Sequence, residues 1–214
     1  MHDDTAHDHG PGGLLDTTSQ EYTQRLQDLE GAAWKRVLHV QAPYRRNISR
    51  ALSGARTLDL GCGIGRNLQT LSDDSVGVDH NRTSVAFCRT RGLVAYLPET
   101  FRTWALEGTE TFDGLLVAHV LEHLPPGSQE AFLRDYLPFL APAARVVLIC
   151  PQERGFASDA SHLDYVDDAR LVDLCDRLGL IVDDSRSFPL PRPAGRVFSH
   201  NEFVVRARVP GPAA

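Results

Sequence analysis

Three glycines at alternate positions, Gly61, Gly63 and Gly65, form the stretch of this sequence with the clearest potential for binding a ligand. They follow a short apolar run at 57–60 and precede a segment that predicts a helix over 66–71. Glycine is needed where φ is positive or where a ligand must approach the backbone closely. A glycine turn between a strand and a helix also presents backbone N–H groups to a ligand.

The spacing and the preceding acid distinguish this turn from a dinucleotide site. Arg66 stands where the G-x-G-x-x-G fingerprint has its third glycine. The carboxylate of Asp59 would repel a phosphate, but it could accept a hydrogen bond from an ammonium group. Asp59-Leu60-Gly61-Cys62-Gly63-Ile64-Gly65 resembles the first motif, D/E-x-G-x-G-x-G, of class I S-adenosylmethionine (AdoMet)-dependent methyltransferases. The resemblance implies cofactor contacts from Asp59, Gly61, Cys62, Gly63, Gly65 and Asn67.

A second acidic residue, Asp79, lies 20 residues after Asp59 at the end of the next predicted strand. A carboxylate there can accept hydrogen bonds from both ribose hydroxyls of a nucleotide, and the spacing is similar to the second motif of the same family. His80 could pack near the adenine, or it could be an ordinary loop histidine. Glu99 follows the third predicted strand, where the family commonly places a polar residue near the adenine; the alternative is that it begins the next helix.

The phrase His119-Val120-Leu121-Glu122-His123 resembles the V-L-E-H phrase of many bacterial small-molecule methyltransferases. The resemblance implies that Ala118 and His119 line the cofactor at the carboxyl edge of the fourth strand. His119 and His162 are candidate general bases, because histidine titrates near neutral pH, and cofactor lining is the alternative for His119. Related enzymes place an arginine about where Arg45 stands, to hold the AdoMet carboxylate; a surface arginine is the alternative.

From Thr57 onward, predicted strands and helices alternate, which indicates an α/β fold. The resemblance covers residues 40–209 and implies a Rossmann-like seven-stranded mixed sheet with helices on both faces and the last strand antiparallel. We expect a disordered tail over 1–18 and a single domain over 19–214. Within that domain we expect accessory helices over 19–54 and an AdoMet-binding core over 55–209. A helix is predicted over 129–140, and Pro142-Ala143-Ala144 must turn without the glycines usual in the family.

Composition limits the partners. The net charge of −6 disfavours nucleic acid, because phosphate contacts need a basic face. The four cysteines are dispersed and form no C-x-x-C pair, which predicts a reduced, cytoplasmic protein and no metal site. No apolar run is long enough for a membrane span, and the N-terminus lacks the features of a signal peptide.

The sequence therefore predicts a methyltransferase that moves a methyl group from AdoMet to a small-molecule acceptor and releases S-adenosylhomocysteine. One alternative is an NAD-type oxidoreductase on a similar sheet, which the glycine spacing opposes. A second alternative, a non-catalytic AdoMet-binding or scaffold protein, stays open, and a protein or RNA substrate is disfavoured by the acidic balance. The acceptor, the element that is methylated, the use of a general base and the oligomeric state are all open.

Overall fold

The computed structural model of the protein describes residues 41–212. Its strands are β1 (Thr57–Leu60), β2 (Val76–Val78), β3 (Ala95–Tyr96), β4 (Phe112–Ala118), β5 (Leu140–Pro151), β6 (Ile181–Phe188) and β7 (Glu202–Arg208). They form one sheet in the order β3-β2-β1-β4-β5-β7-β6. Within this described sheet β7 runs antiparallel to both of its neighbours, β5 and β6, and the other pairs are parallel. The predicted fold class is confirmed.

The helices of the described chain are α1 (41–51), α2 (Arg82–Thr90), α3 (Pro98–Glu107), α4 (Gln129–Arg134), α5 (Glu153–Phe156) and α6 (Asp168–Arg177). The Asn81 side chain caps α2 by accepting from the N–H groups of Thr83 and Ser84 at 2.9 and 3.1 Å. None of these described helices combines the length and apolar character that a bilayer crossing needs. The predicted tail at 1–18 and the first accessory helix lie outside the described residues.

Strand β4 shows how helices come to cover both faces of the sheet. Side chains alternate along a strand, so Leu115 and Val117 enter a core with Phe101 of α3 and residues of α4 and α6. Leu116 and Ala118 face the other way and pack with Ile48 of α1 and with Leu52, which follows α1. Both faces of the central strands are therefore buried, as parallel sheets require.

Two predicted helices are wrong in extent. The predicted helix at 66–71 is a series of turns followed by a 3-10 helix, Leu68–Thr70. Both the N–H and the hydroxyl of Thr70 donate to the Asn67 carbonyl at 2.8 Å, which tightens the turn to the i→i+3 pattern. The predicted helix at 129–140 ends at Arg134, because Pro138 has no N–H to donate to the Arg134 carbonyl.

The turn into β5 was predicted to form without the family's glycines. No glycine is present, yet Ala143 adopts the left-handed conformation with φ of 62°. That conformation is uncommon for a residue with a Cβ. The connection therefore keeps a left-handed position and places alanine in it.

Candidate functional site

Two clefts open at the carboxyl ends of the central strands, and they share His119. The first cleft has a volume of about 340 Å³ and is lined by Gly61, Gly63, Asp79, His80, Pro98, His119, Val120, Phe132 and Tyr136, among others. The second cleft has a volume of about 390 Å³ and is lined by Tyr44, Arg45, Ile48, Arg66, Asn67, Ala118, His119, His200 and Glu202, among others. In an open α/β sheet, ligands bind at this edge.

The glycine loop forms one wall of the first cleft. Gly61 has φ of 68°, and its N–H donates to the Val78 carbonyl at 2.7 Å. A Cβ at Gly61 would lie 2.3 Å from Cγ2 of Val120, so the packing itself excludes a side chain. Gly63 has φ of 52°, and a Cβ there would meet nothing within 4 Å. The Gly63 backbone is therefore open to a ligand.

Cys62 and Gly65 do not line either cleft. A Cβ at Gly65, where φ is 82°, would lie 2.5 Å from Cδ1 of Leu93 and 3.1 Å from Sγ of Cys88. The Cys62 side chain is buried and lies so close to Gly77 that a Cβ there would be 2.6 Å from its sulfur. Close packing beneath the loop explains these two residue types, and their contribution to the site is through the backbone conformation.

Asp79 ties the glycine loop to the end of β2. Its Oδ2 accepts from the Gly63 N–H and its Oδ1 accepts from the Asn81 N–H, both at 2.8 Å. Each carboxylate oxygen has a further lone pair that can accept a ligand hydroxyl. His80 lines the same cleft. Glu99 does not line either cleft; it lies exposed in the first turn of α3, 3.6 Å from Arg82.

Asp59 lies on β1, in the middle of the sheet. It is 1% exposed, and its Oδ2 has no hydrogen-bond partner among the described residues. Because side chains alternate along β1, it points to the sheet face of its β4 neighbour Leu116, away from Leu58. Burial and then the negative charge of Asp79 raise the pKa of Asp59 to about 8. A buried acceptor without a partner fits a ligand that brings a donor or a positive charge.

The remaining predicted cofactor contacts, Arg45, Asn67 and Ala118, line the second cleft. Arg45 lies on α1, and Asn67 precedes the 3-10 helix after the glycine loop. The structure thus brings these three residues together with His119, although they come from three separate parts of the chain.

His119 is held by two carboxylates. It has φ of 59°, and its N–H donates to the Ile149 carbonyl at 3.0 Å. Nδ1 lies 3.2 Å from Oε1 of Glu122, and Nε2 lies 2.9 Å from Oε1 of Glu202. Burial lowers the pKa of His119, but the hydrogen bonds and charges of Glu122 and Glu202 outweigh it and raise the pKa to about 10. A ring nitrogen that donates to a carboxylate has no lone pair free to take a proton, and the general-base role of His119 stays a prediction.

His162, the other predicted base, does not line either cleft. Its Nδ1 donates to the Phe156 carbonyl at 2.8 Å, and its ring stacks on that of Phe156 at 5.2 Å. One ring nitrogen each from His123 and His162 and an oxygen of Glu122 lie within 4.8 Å of one another. The Glu122 carboxylate already holds His119, and the Glu122 backbone carbonyl accepts from the N–H of Leu163 at 2.7 Å. We assign this cluster to fixing the 157–164 loop on the end of β4.

Glu202 is the site residue that sequence reasoning missed. It begins β7, lies 83 residues from His119 and is 9% exposed. The sequence signal was an acidic residue at the start of the last apolar strand. That signal indicates a site only when the antiparallel pairing of β7 with β5 is known.

The comparisons with known proteins agree with this geometry. The sequence profile of a methyltransferase domain family matches residues 36–188. A similar solved structure is that of a SAM-dependent methyltransferase from Archaeoglobus fulgidus, with a TM-score of 0.61 and 20% identity. That likeness covers 79% of this chain and 92% of the other, and it shows the shared fold.

Curated relatives carry the name ubiquinone biosynthesis O-methyltransferase. The protein from Aliivibrio fischeri (strain MJ11) is 30% identical over 118 residues, which are 50% of this chain and 50% of the relative. The protein from Vibrio parahaemolyticus is 24% identical over 191 residues, which are 72% of this chain and 80% of the relative. The chain spans about half the length of the first of these relatives. Because the family profile covers most of the chain, the protein belongs to this methyltransferase domain family.

Proposed function

We propose that this protein binds AdoMet across the two clefts and transfers its methyl group to a small-molecule acceptor. In this proposal Asp79 accepts the ribose hydroxyls, and His80 lies beside the adenine. Asp59 faces the ammonium group, and Arg45 pairs with the carboxylate. The open backbone at Gly63, with Gly61, Asn67, Ala118 and His119, completes the contact surface.

The observation that carries the proposal is the combination of Asp79, the glycine loop and Asp59. Asp79 accepts from the Gly63 N–H at 2.8 Å, which ties the glycine loop to the end of β2. Asp59 lines neither cleft, but it adds a buried oxygen without a described partner, and it is close enough to Asp79 for that charge to raise its pKa. A sulfonium ligand with an ammonium group and a ribose supplies the positive charge and the hydroxyl donors that these carboxylates lack.

When bound, AdoMet supplies an electrophilic methyl group, and the protein's share is to hold the two reactants in line. Such positioning can lower a barrier by roughly 7 kcal/mol or more. Arg45 suits its role because a guanidinium can pair with a carboxylate through two parallel hydrogen bonds. The O-methyltransferase names of the curated relatives favour an oxygen acceptor. A cytoplasmic location stays a prediction from the cysteine pattern.

The oxidoreductase alternative has less support. A pyrophosphate would have to lie against the glycine loop with Asp59 and Asp79 both nearby, and both carry or can carry negative charge. Repulsion between like charges opposes that arrangement. The non-catalytic alternative shares the cofactor site, and it is separated from an enzyme by a methyl-transfer assay.

The test is isothermal calorimetry with S-adenosylhomocysteine, AdoMet and NAD, run on the wild type, Asp79→Asn and Asp113→Asn. Asp113 is an exposed aspartate of β4 outside both clefts and is the matched control. We expect binding of the two adenosyl-sulfur ligands and at least tenfold weaker binding by Asp79→Asn alone. Ligand at about 100 times its dissociation constant should also stabilise the fold by about 2.7 kcal/mol. Binding of NAD alone would overturn the proposal.

A further inference from the structure

The second cleft contains a carboxylate that the cofactor does not need. Glu202 lines this cleft, and its side chain is 11% exposed. Its Oε1 accepts from Nε2 of His119, and no described residue donates to Oε2. Arg45 and Asn67 line the same cleft and are already assigned to AdoMet. Glu202 is therefore an acceptor of hydrogen bonds placed next to the cofactor and not used by it.

The position of Glu202 is fixed from behind by buried amide groups. Its backbone carbonyl accepts from Nε2 of Gln152 at 3.0 Å. Oε1 of Gln152 in turn accepts from Nδ2 of Asn201 at 2.9 Å, and both amides are fully buried. The first residue of β7 pairs with Pro151 of β5 and Phe188 of β6. A side chain that starts from so constrained a backbone can position a ligand atom.

His119 lines both clefts and is hydrogen-bonded to the Glu202 carboxylate. The ring lies between Glu122 and Glu202, with Nδ1 3.2 Å from Oε1 of Glu122 and Nε2 2.9 Å from Oε1 of Glu202. The ring has no lone pair to offer while both nitrogens donate. Glu202 lines the second cleft together with Ala118, and its Oε2 can still accept a hydrogen bond from the methyl acceptor.

We propose that the second cleft binds an acceptor whose nucleophile is an amine or a hydroxyl, and that Glu202 positions it by accepting its N–H or O–H hydrogen. This inference rests on the proposed function and names the acceptor class. It excludes carbon nucleophiles and thioethers, which have no such hydrogen to donate.

The transfer balances with a carboxylate alone. The nitrogen or oxygen lone pair forms a bond to the methyl carbon as the carbon–sulfur bond breaks, and that bonding pair stays on sulfur, which becomes neutral. The positive charge passes to the nucleophile and makes its hydrogen acidic. That hydrogen leaves as a proton to Oε2 of Glu202 and then passes to solvent. A carboxylate oxygen is sufficient as the proton acceptor, because the proton is lost only as the charge develops.

The experiment measures binding of acceptor fragments by fluorine NMR, with the protein saturated with S-adenosylhomocysteine. The probes form two pairs: para-fluorophenol with para-fluoroanisole, and para-fluoroaniline with its N,N-dimethyl derivative. Within each pair only the first can donate a hydrogen bond. We expect the donors to bind at least fivefold more tightly than their methylated partners, since a hydrogen bond to a carboxylate is stronger than one between neutral groups.

The variants are Glu202→Gln, Glu202→Asp and Glu130→Gln. Glu130 pairs with Arg134 on the exposed side of α4 and serves as the control. Glu202→Gln should reduce the preference for donors to below twofold, Glu202→Asp should retain part of it, and Glu130→Gln should leave it unchanged. Equal binding within each pair, a preference that survives in Glu202→Gln, or no binding of any probe would overturn the inference. Failure to bind S-adenosylhomocysteine would instead contradict the proposed function.

Discussion

The two clefts that meet at His119 are built in different ways. The first takes its wall from neighbouring parts of the chain, the glycine loop and the end of β2, and its shape depends on backbone conformation. The second gathers α1, the end of β4 and the start of β7, and its character depends on charged side chains. Substitutions in the first cleft should therefore affect the cofactor, whereas the second cleft holds both the proposed cofactor contacts of Arg45 and Asn67 and the proposed acceptor contact of Glu202.

The largest effect is expected from Gly61→Ala. The new Cβ would lie 2.3 Å from Cγ2 of Val120, and φ of 68° would be strained. The loop must then move away from Asp79. We expect calorimetry to show at least a hundredfold loss of S-adenosylhomocysteine affinity, which is about 2.7 kcal/mol.

Gly127→Ala is the matched control, because Gly127 has φ of 83° and nothing within 4 Å of a Cβ. It carries the same conformational strain without the clash, so its affinity should stay within twofold of the wild type. The double variant Gly61→Ala with Val120→Ala should recover part of the lost affinity. If the control loses as much affinity as Gly61→Ala, the loop conformation does not set the shape of the first cleft.

Asp59→Asn should stabilise the ligand-free protein and weaken its binding of AdoMet. The folded state holds the pKa of Asp59 at about 8, whereas an unfolded aspartate titrates near 3.9. Between these values the folded state binds more protons, so this group makes stability fall as pH rises from about 4 to about 8. Asparagine removes the cost of ionising a buried carboxyl group. We therefore expect the free energy of unfolding to rise by about 2 kcal/mol above pH 8, which corresponds to a rise in Tm of about 4–8 °C.

The same variant should lose at least tenfold in AdoMet affinity, because the neutral amide no longer attracts the ammonium group. Its advantage in Tm should shrink as the pH is lowered toward 5, where the wild-type carboxyl is protonated. Thermal unfolding across this pH range checks the sign. A lower Tm for Asp59→Asn at every pH would mean that the carboxylate is ionised and partnered, and it would remove Asp59 from the proposed site.

The sequence predicted residues that line both clefts, and it missed Glu202 of the second cleft. Asp59, the glycines and Asp79 lie within about 20 residues, and local spacing fixes their roles as turn and strand end. The seven-stranded mixed sheet was implied by the family resemblance, whereas the alternation of predicted strands and helices indicated only an α/β fold. The extent of the helices was less predictable, as the early stop of α4 before Pro138 shows.

The carboxylate partners of His119 were the part of the site that no local sequence pattern could predict. His119 looked like a base because an isolated histidine titrates near neutrality. Its partner Glu202 is 83 residues away and reaches it only through the pairing of β7 with β5. Glu122 is nearby in sequence, but its burial depends on the packing of the whole sheet. Both carboxylates had to be located before the two hydrogen bonds of the ring could be recognised.

His119→Asn tests the charge state of the ring. Asparagine tolerates positive φ but cannot donate charged hydrogen bonds to Glu122, which is buried. We expect the free energy of unfolding to fall by about 1–2 kcal/mol near pH 6. The effect is no larger because solvent screens the His119 side chain, which is 44% exposed. The folded pKa is raised from about 6.5 to about 10, so this stabilisation is complete below pH 6.5 and is lost as pH rises through 10.

Urea unfolding of a double-mutant cycle with Glu122→Gln measures the pairing directly. The double variant should be less destabilised than the sum of the two single variants. Each single variant leaves one buried partner unpaired, whereas the double variant removes both partners. Additive effects, or a His119→Asn effect that does not diminish between pH 6 and pH 10, would show that the ring is neutral. In that event a base role for His119 would gain support.

The smallest effect, and the sharpest test of whether the clefts act separately, is expected from Tyr44→Phe. The Tyr44 hydroxyl donates to the His200 carbonyl at 2.6 Å, two residues before Glu202, and its ring meets Phe188 edge-on at 5.4 Å. Phenylalanine keeps the ring contact and loses one exposed hydrogen bond, so unfolding should cost about 0.5 kcal/mol less. The backbone before Glu202 is loosened, and para-fluorophenol should bind two- to threefold more weakly.

Tyr136→Phe removes the same atom from the first cleft and is the counterpart. Because the glycine loop and Asp79 do not touch Tyr44, the S-adenosylhomocysteine affinity of Tyr44→Phe should stay within twofold of the wild type. The para-fluorophenol affinity of Tyr136→Phe should likewise stay unchanged. If Tyr44→Phe weakens both ligands equally, strain passes through His119 from one cleft to the other. The shared histidine would then couple cofactor and acceptor binding, because one ring borders both clefts and is tied to the start of β7.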